Sequence, residues 1–470
     1  MRFVKFLLFP LLLLAPALNA TSSDIELLDS NLIAKLHLAD VAKDGQMVGA
    51  YVVSFRPQKG RSVRKVTLLL NPGLTFIKAD AGRRRLSTTS TVTPVAGMDM
   101  LELNAVEIDL GKTLTGTDRI DVAIHYRGFL EDLSWTGLTG VKETLSPNFT
   151  MLRAQGFAYP VFAEANLASI KNAWANNGFL QFADITLPGA NEIVGTLSIT
   201  EKTLVGEQTK VALKSNRPTS LMTLAIAPYQ SLSSGPVTAS FLRGGEAGAT
   251  QLLGLVTAQM DSLARLLGAP TSGATLNIIN VPDGYGNSAA TGAIFLETSF
   301  LNTPSLTKKI KKTINDLWKS SNAGKPGNWS NGLDRLVDLT IANPDMMQEF
   351  EMMTFNTAQQ LFAANKLVGK TALEDYVVEG LSTEGDDVSA LAFAVLYNLL
   401  GRDEFFKTVR NLRSDLTGGY ADMASVTEFL RKNLKNKKAK KFAKNWFSSN
   451  KAGKDMAKAK SFAALVKRYR

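Results

Sequence analysis

Two hydrophobic periods divide the chain. From about residue 24 to 240 apolar and polar positions alternate. Ile120, Val122, Ile124 and Tyr126 interleave with Asp121, Ala123, His125 and Arg127, the two-residue repeat of a strand with one buried face. Residues 66–70 form a second apolar run, closed by the turn signal Asn71-Pro72-Gly73. Leu36 and Leu38 flank His37 in a third, and residues 184–188 and 197–200 read as strands of a later sheet. Near Gly244 the repeat changes. Leu252, Leu255, Val256, Met260, Leu263 and Leu266 fall at helical spacing within 249–267. A buried strand is predicted over 276–281, and another over 293–296. Leu306, Ile310, Ile314 and Leu317 mark a helix that opens at Pro304-Ser305. From 371 onward the pattern is helical, with 390–400 apolar nearly all round, Gly401 as a C-cap, and further helices over 403–413 and 425–433.

The pattern predicts an α+β multidomain chain. A β-rich domain of saddle or sandwich type spans 21–243, and an α/β unit that becomes mostly helical spans 244–470. Residues 1–20 fall outside both. Arg2 and Lys5 precede a short apolar run that ends at Leu18-Asn19-Ala20, the layout of a cleaved signal peptide and too short to span a bilayer. The expectation is an exported protein, periplasmic or secreted.

Composition narrows the chemistry. The chain has 470 residues with 45% apolar and 20% charged side chains, a globular balance. It has no cysteine, which excludes disulfides, thiolate nucleophiles and Cys-ligated metals. It has two histidines, His37 and His125, each expected on the polar side of a strand, so imidazole-based catalysis has little to draw on. The net charge of +11 is uneven: 431–470 holds fifteen Lys or Arg and one acid, Asp455. The rest of the chain is therefore net acidic. In the basic segment Lys435, Lys437, Lys438, Lys440, Lys441 and Lys444 surround Phe442, Trp446 and Phe447. This reads either as a contact with an anionic membrane surface or an acidic partner, or as a solvated helix face with its aromatics in the core. Nucleic acid fits the charge but not an exported location. Arg83-Arg84-Arg85 reads as a loop.

Several motif matches fail on context. Gly284-Tyr285-Gly286 resembles a dinucleotide glycine turn but leads into a strand instead of a helix. Gly369-Lys370-Thr371 is half a phosphate loop preceded by a helix. Gly286-Asn287-Ser288 lacks the closing glycine of a nucleophile elbow, because position 290 is Ala290.

The order of elements resembles the zinc aminopeptidases related to aminopeptidase N, whose catalytic domain is thermolysin-like. The resemblance rests on Tyr126-Arg127-Gly128 at a strand end, Ala158-Tyr159-Pro160, the strand pair within 225–242, and Leu400-Gly401-Arg402-Asp403-Glu404-Phe405-Phe406 after a buried helix. It also rests on Asn445-Trp446-Phe447 in the last helices. That family uses a G-A-M-E-N segment to hold the substrate amine, H-E-x-x-H and a further Glu to bind zinc, and a Tyr to stabilise the oxyanion. Aligned on Gly286 and Gly292, the first motif reads Gly286-Asn287-Ser288-Ala289-Ala290 here, with Ala289 in place of the amine-binding Glu. Aligned on Trp318, the second reads Lys312-Thr313-Ile314-Asn315-Asp316. The third ligand falls on Gly332 and the Tyr near Asp386. The resemblance implies the peptidase scaffold with its chemical groups replaced, and no cofactor. The functional expectation is a non-catalytic pseudo-peptidase that binds a peptide or protein partner in a residual cleft. Two alternatives stay open: an active metallopeptidase with unusual ligands such as Asp316, and a module for anionic surfaces led by the basic segment.

Overall fold

The computed structural model describes residues 24–470 apart from 42, 59, 139, 175–177, 190, 217, 220, 271–273, 319–328, 377–378, 380 and 417–421. The expected signal segment 1–20 lies outside the described residues. Among those residues no helix is long and apolar enough to cross a membrane.

The alternating half folds into strands as expected, but 184–188 and 197–200, expected in a later sheet, join the first one, because Leu180–Pro188 pairs alongside Ile25–His37. An eight-stranded sheet runs in the order Ser198–Val205, Gln208–Lys214, Leu180–Pro188, Ile25–His37, Gln46–Pro57, Ile120–Gly128, Leu74–Ala81, Arg84–Arg85. A three-stranded sheet of Ser62–Leu70, Met98–Thr115 and Ser87–Val95 packs over the same core. Ile120, Val122, Ile124 and Tyr126 point into that core while Asp121 and Arg127 stay exposed, so the period-2 pattern is what seats this strand. The arginine cluster differs from expectation. Only Arg83 sits in a turn; Arg84–Arg85 pair with Asp80 and Ala81 as a short edge strand. Arg85 Nε reaches Asp80 Oδ1 at 2.8 Å and Arg84 Nη2 reaches Leu110 O at 2.6 Å. These local partners give two cations a reason to stay ordered at an edge.

The second half is built on a five-stranded sheet, ordered Gln230–Ser234, Val237–Phe241, Leu276–Val281, Ala293–Glu297, Ser288–Ala290. Its three middle strands are parallel and its outer pairs antiparallel. Both faces are covered. Ile278, Ile294 and Leu296 pack on the helices with Leu252 and Val256. Ile279, Val281 and Phe295 pack on Phe149, Met151 and Ala225 from the β-rich half. A strand buried on two faces reads as a continuous apolar run, which is why 276–281 and 293–296 lack alternation. By hydrogen bonding, the hairpin 230–241 belongs to this sheet, although it precedes the expected boundary at 243.

Helices Glu246–Leu267, Lys308–Asn315, Trp329–Ala342, Met347–Ala364, Ser382–Leu400, Arg402–Asp415, Met423–Asn433 and Lys437–Trp446 complete the unit, with two short ones at the C-terminus. Leu391, Phe393, Val395 and their neighbours bury the middle of Ser382–Leu400. Gly401 takes φ +78° and lets the next helix start at once. In the basic segment Phe442, Trp446 and Phe447 are core residues, whereas the six lysines named above are exposed.

One buried ionic group pins the two halves together. The Arg153 guanidinium pairs with the Glu143 carboxylate, donates to Gly140 O, and reaches Tyr285 O at 3.3 Å. Burial outweighs the pull of Arg153 and pushes the Glu143 carboxyl up to about 7 from 4.5. A carboxyl raised on folding contributes stability that is complete below its unfolded value and is lost as pH climbs through the folded value. Thermal unfolding should therefore show stability falling between about pH 4.5 and 7, and Glu143→Gln should flatten that slope. An unchanged slope would remove Glu143 as its source.

Candidate functional site

A pocket of about 700 Å³ opens between the edge strand Ser288–Ala290 and the helix Lys308–Asn315. Its lining includes Ser288, Ala289, Thr291, Lys308, Lys309, Lys312, Thr313 and Asp316. Five of the nine positions singled out in the sequence thus converge here: Ser288, Ala289, Lys312, Thr313 and Asp316. Two separate chain segments, 288–291 and 308–316, supply the two walls.

Local chemistry explains each wall. Thr307 caps the helix, its side chain accepting from Ile310 N at 3.3 Å. Ile310 and Ile314 face the core, which turns Lys308, Lys309 and Lys312 outward. The edge strand is held through the loop before it. Lys309 Nζ donates to Asn287 O at 2.7 Å, and Asn287 Oδ1 accepts from Glu297 N at 2.9 Å. Gly284 and Gly286, at φ +96° and +76°, aim their N–H groups at Glu297 Oε1, 2.7 and 2.9 Å away. The glycine turn that resembled a nucleotide cradle is therefore an anion nest already filled by the chain's own carboxylate. Gly286 and Asn287 shape the rim and do not line the pocket.

The remaining two positions do not line it. Gly332, on Trp329–Ala342, sits where that helix crosses Ser382–Leu400. A Cβ there would fall on Ser389 Oγ and stand 2.5 Å from Ala390 N. Asp386, on the second helix, accepts from Asn331 Nδ2 at 3.0 Å. Burial pushes its carboxyl up, against the charges of Lys312 and Arg335.

A buried cation completes the region, and it was not among the sequence candidates. Arg413, on Arg402–Asp415, is 9% exposed and stands 3.5 Å from Asp334. Asp334 and Asp316 hold its guanidinium charged against the desolvation that pulls its pKa down. A signal was present: Phe406, Val409 and Arg413 share one helical stripe, and a cation in an apolar stripe requires a buried counter-ion.

The donors at the positions that the sequence resemblance assigns to the zinc ligands do not fit a zinc ion. Lys312 brings an ammonium, Gly332 no side chain, and Asp316 a single carboxylate already within the field of Arg413. Zinc takes neutral imidazole, thiolate or carboxylate, three of them from the protein at least. Among the described residues no three His, Cys, Asp or Glu side chains cluster as a metal site. His37 is exposed, and His125 lies 3.6 Å from Asp80. Burial and Lys78 keep the His125 imidazole below its usual pKa.

No family model and no curated protein matches this chain. Solved structures do. The chain has the fold of the M1 zinc metallopeptidases, with a β-rich unit followed by a mostly helical one. It superposes on the M1 zinc metallopeptidase from Deinococcus radiodurans with a TM-score of 0.55 at 13% identity, covering 91% of this chain and 94% of that one. A two-domain M1 zinc metallopeptidase bound to L-tryptophan gives 0.56 at 12%, covering 91% and 95%. Yeast LTA4 hydrolase gives 0.55 at 11%, covering 91% and 68%.

Proposed function

We propose that this chain is an exported, non-catalytic relative of the M1 peptidases that holds a peptide or protein segment in the cleft between Ser288–Ala290 and Lys308–Asn315. The observation that carries the reading is the charge of the cleft. Where the fold's enzymes place ligands for a cation, this chain brings its own cations, Lys312 from the helix and Arg413 from behind Asp316. A divalent ion there meets repulsion and one shared carboxylate. Fold alone licenses no activity, and peptide hydrolysis on this scaffold needs the polarising metal. The edge strand supports the holding role, since among the described residues Ser288–Ala290 pairs with Ala293–Glu297 on one side only and can accept an extended chain on the other.

Elemental mass spectrometry of the purified protein should find well under one zinc per chain, and aminoacyl reporters should not be hydrolysed above buffer. One tightly held zinc, with chelator-sensitive hydrolysis lost in Asp316→Ala, would overturn this in favour of an active enzyme with unusual ligands.

The exposed lysines of Lys437–Trp446 favour a second reading, contact with an anionic membrane surface or acidic partner. Deleting 431–470 would remove core aromatics and so cannot test it. Glutamine at Lys437, Lys438, Lys441 and Lys444 spares the core. That variant should lose salt-sensitive binding to phosphatidylglycerol vesicles, and binding that persists would dismiss the tail.

A further inference from the structure

The helix wall of the pocket carries a charge that works against its own helix. Lys308, Lys309 and Lys312 line the cavity and are exposed, with Asp316 as the only carboxylate among the lining residues. Lys308 and Lys312 stand one turn apart, a spacing at which like charges repel. Lys311 adds a fourth cation within five positions. Lys308 and Lys309 also occupy the first turn, which contains no acidic residue, although the N-terminal end of a helix dipole disfavours cations. A bound anion relieves both repulsions. The chain's own groups do so incompletely: Asp316 serves Arg413, and Asp386 is engaged by Asn331. Lys309 is held by Asn287 O at 2.7 Å, which leaves Lys308 and Lys312 to line the cavity together with Ser288 and Thr291.

We propose that this pocket is an anion site that takes a peptide carboxylate, from a C-terminus or from an Asp or Glu side chain. Lys308 and Lys312 are its cationic contacts, and Ser288 and Thr291 supply hydroxyl donors. The inference rests on the reading of the cleft as a peptide holder and adds a rule of selection by charge. Two ammonium groups and two hydroxyls match the lone pairs of one carboxylate. A positively charged peptide end meets the same lysines as repulsion.

Isothermal titration of the full chain at low ionic strength tests this with four peptides: acetyl-Ala-Ala-Ala with a free C-terminus, the same peptide as its amide, acetyl-Ala-Glu-Ala-amide and acetyl-Ala-Lys-Ala-amide. One or both carboxylate peptides should bind about tenfold tighter than the neutral amide, a gap of the size charge-assisted hydrogen bonds supply. Whichever of the two holds the gap identifies the source of the carboxylate. The lysine peptide should bind weakest. Lys308→Gln/Lys312→Gln should abolish the gap between the carboxylate peptides and the neutral amide, and the variant's melting temperature should hold or rise as the repulsion is removed. A gap that survives this double substitution, or a lysine peptide that binds best, overturns the proposal. Equal binding of all four peptides overturns charge selection and leaves the peptide-holding reading intact. Binding of none overturns both.

Discussion

Gly332→Glu is expected to unfold the protein more readily, not to give back a metal ligand. The helix Trp329–Ala342 meets Ser382–Leu400 so closely at Gly332 that any Cβ would stand 2.5 Å from Ala390 N and 2.8 Å from Ser389 C. Backbone atoms cannot rotate aside as a side chain can. The helices must separate, and they carry Leu333, Leu336, Leu391 and Val395 into the core. Overpacking of this kind destabilises by about 1–3 kcal/mol and occasionally more, and a glutamate adds a charge with no assigned partner. Even Gly332→Ala should lower the urea midpoint clearly. Gly254 is the matched control: it lies in the helix Glu246–Leu267 with nothing within 4 Å of its missing Cβ. Gly254→Ala should be neutral or stabilise by about 0.5–1 kcal/mol. An unchanged midpoint for Gly332→Ala would show that the helices part without strain.

The second large effect is expected at Arg413. Removing one partner of a buried ion pair leaves the other charge stranded, at about 3–5 kcal/mol. Arg413→Met takes away the guanidinium 3.5 Å from Asp334, a carboxylate that is 7% exposed. Asp334→Leu alone removes the stronger of the two carboxylates that hold the guanidinium charged and leaves Asp316. Together the two substitutions form an apolar contact of similar volume, so the double variant should recover most of the loss. Denaturant midpoints of the two single variants and the double decide the matter. If the double variant falls as far as the two singles summed, Arg413 and Asp334 are not coupled. The second unit would then lose the explanation for a cation in the stripe of Phe406 and Val409.

These two sites mark what the sequence leaves unread. Periodicity alone finds the strand Ile120–Gly128, the helix Glu246–Leu267 and the buried middle of Ser382–Leu400, because each shows its burial along its own length. The family resemblance locates Lys312, Thr313, Asp316 and the segment after Gly286, and the fold brings these segments to one cavity. The pairing of Arg413 with Asp334 and of Arg153 with Glu143 is not periodic. Each joins elements distant in the chain or a loop with no repeat, and the charges look solvated until the partner arrives in space. Helix Met347–Ala364 escapes notice for a related reason. Met352 and Met353 are exposed while Phe355 and Ala358 are buried, so its apolar residues do not mark one face. The basic segment misleads in the other direction, since the aromatics between its lysines serve the core.

The five-stranded sheet that both halves cover has a consequence for how such a chain is made and inherited. Its floor is supplied by Phe149, Met151 and Ala225, which leave the ribosome before any strand that rests on them. The first half is thus a finished template on which the second is laid down. A gene cut at residue 243 would deliver the later part without the hairpin 230–241 that borders Leu276–Val281, and with Ile279 and Phe295 bare. Such a product presents an open row of backbone groups beside an oily plane, the makings of a precipitate. The two halves are therefore not exchangeable modules. They fold and fail as one piece.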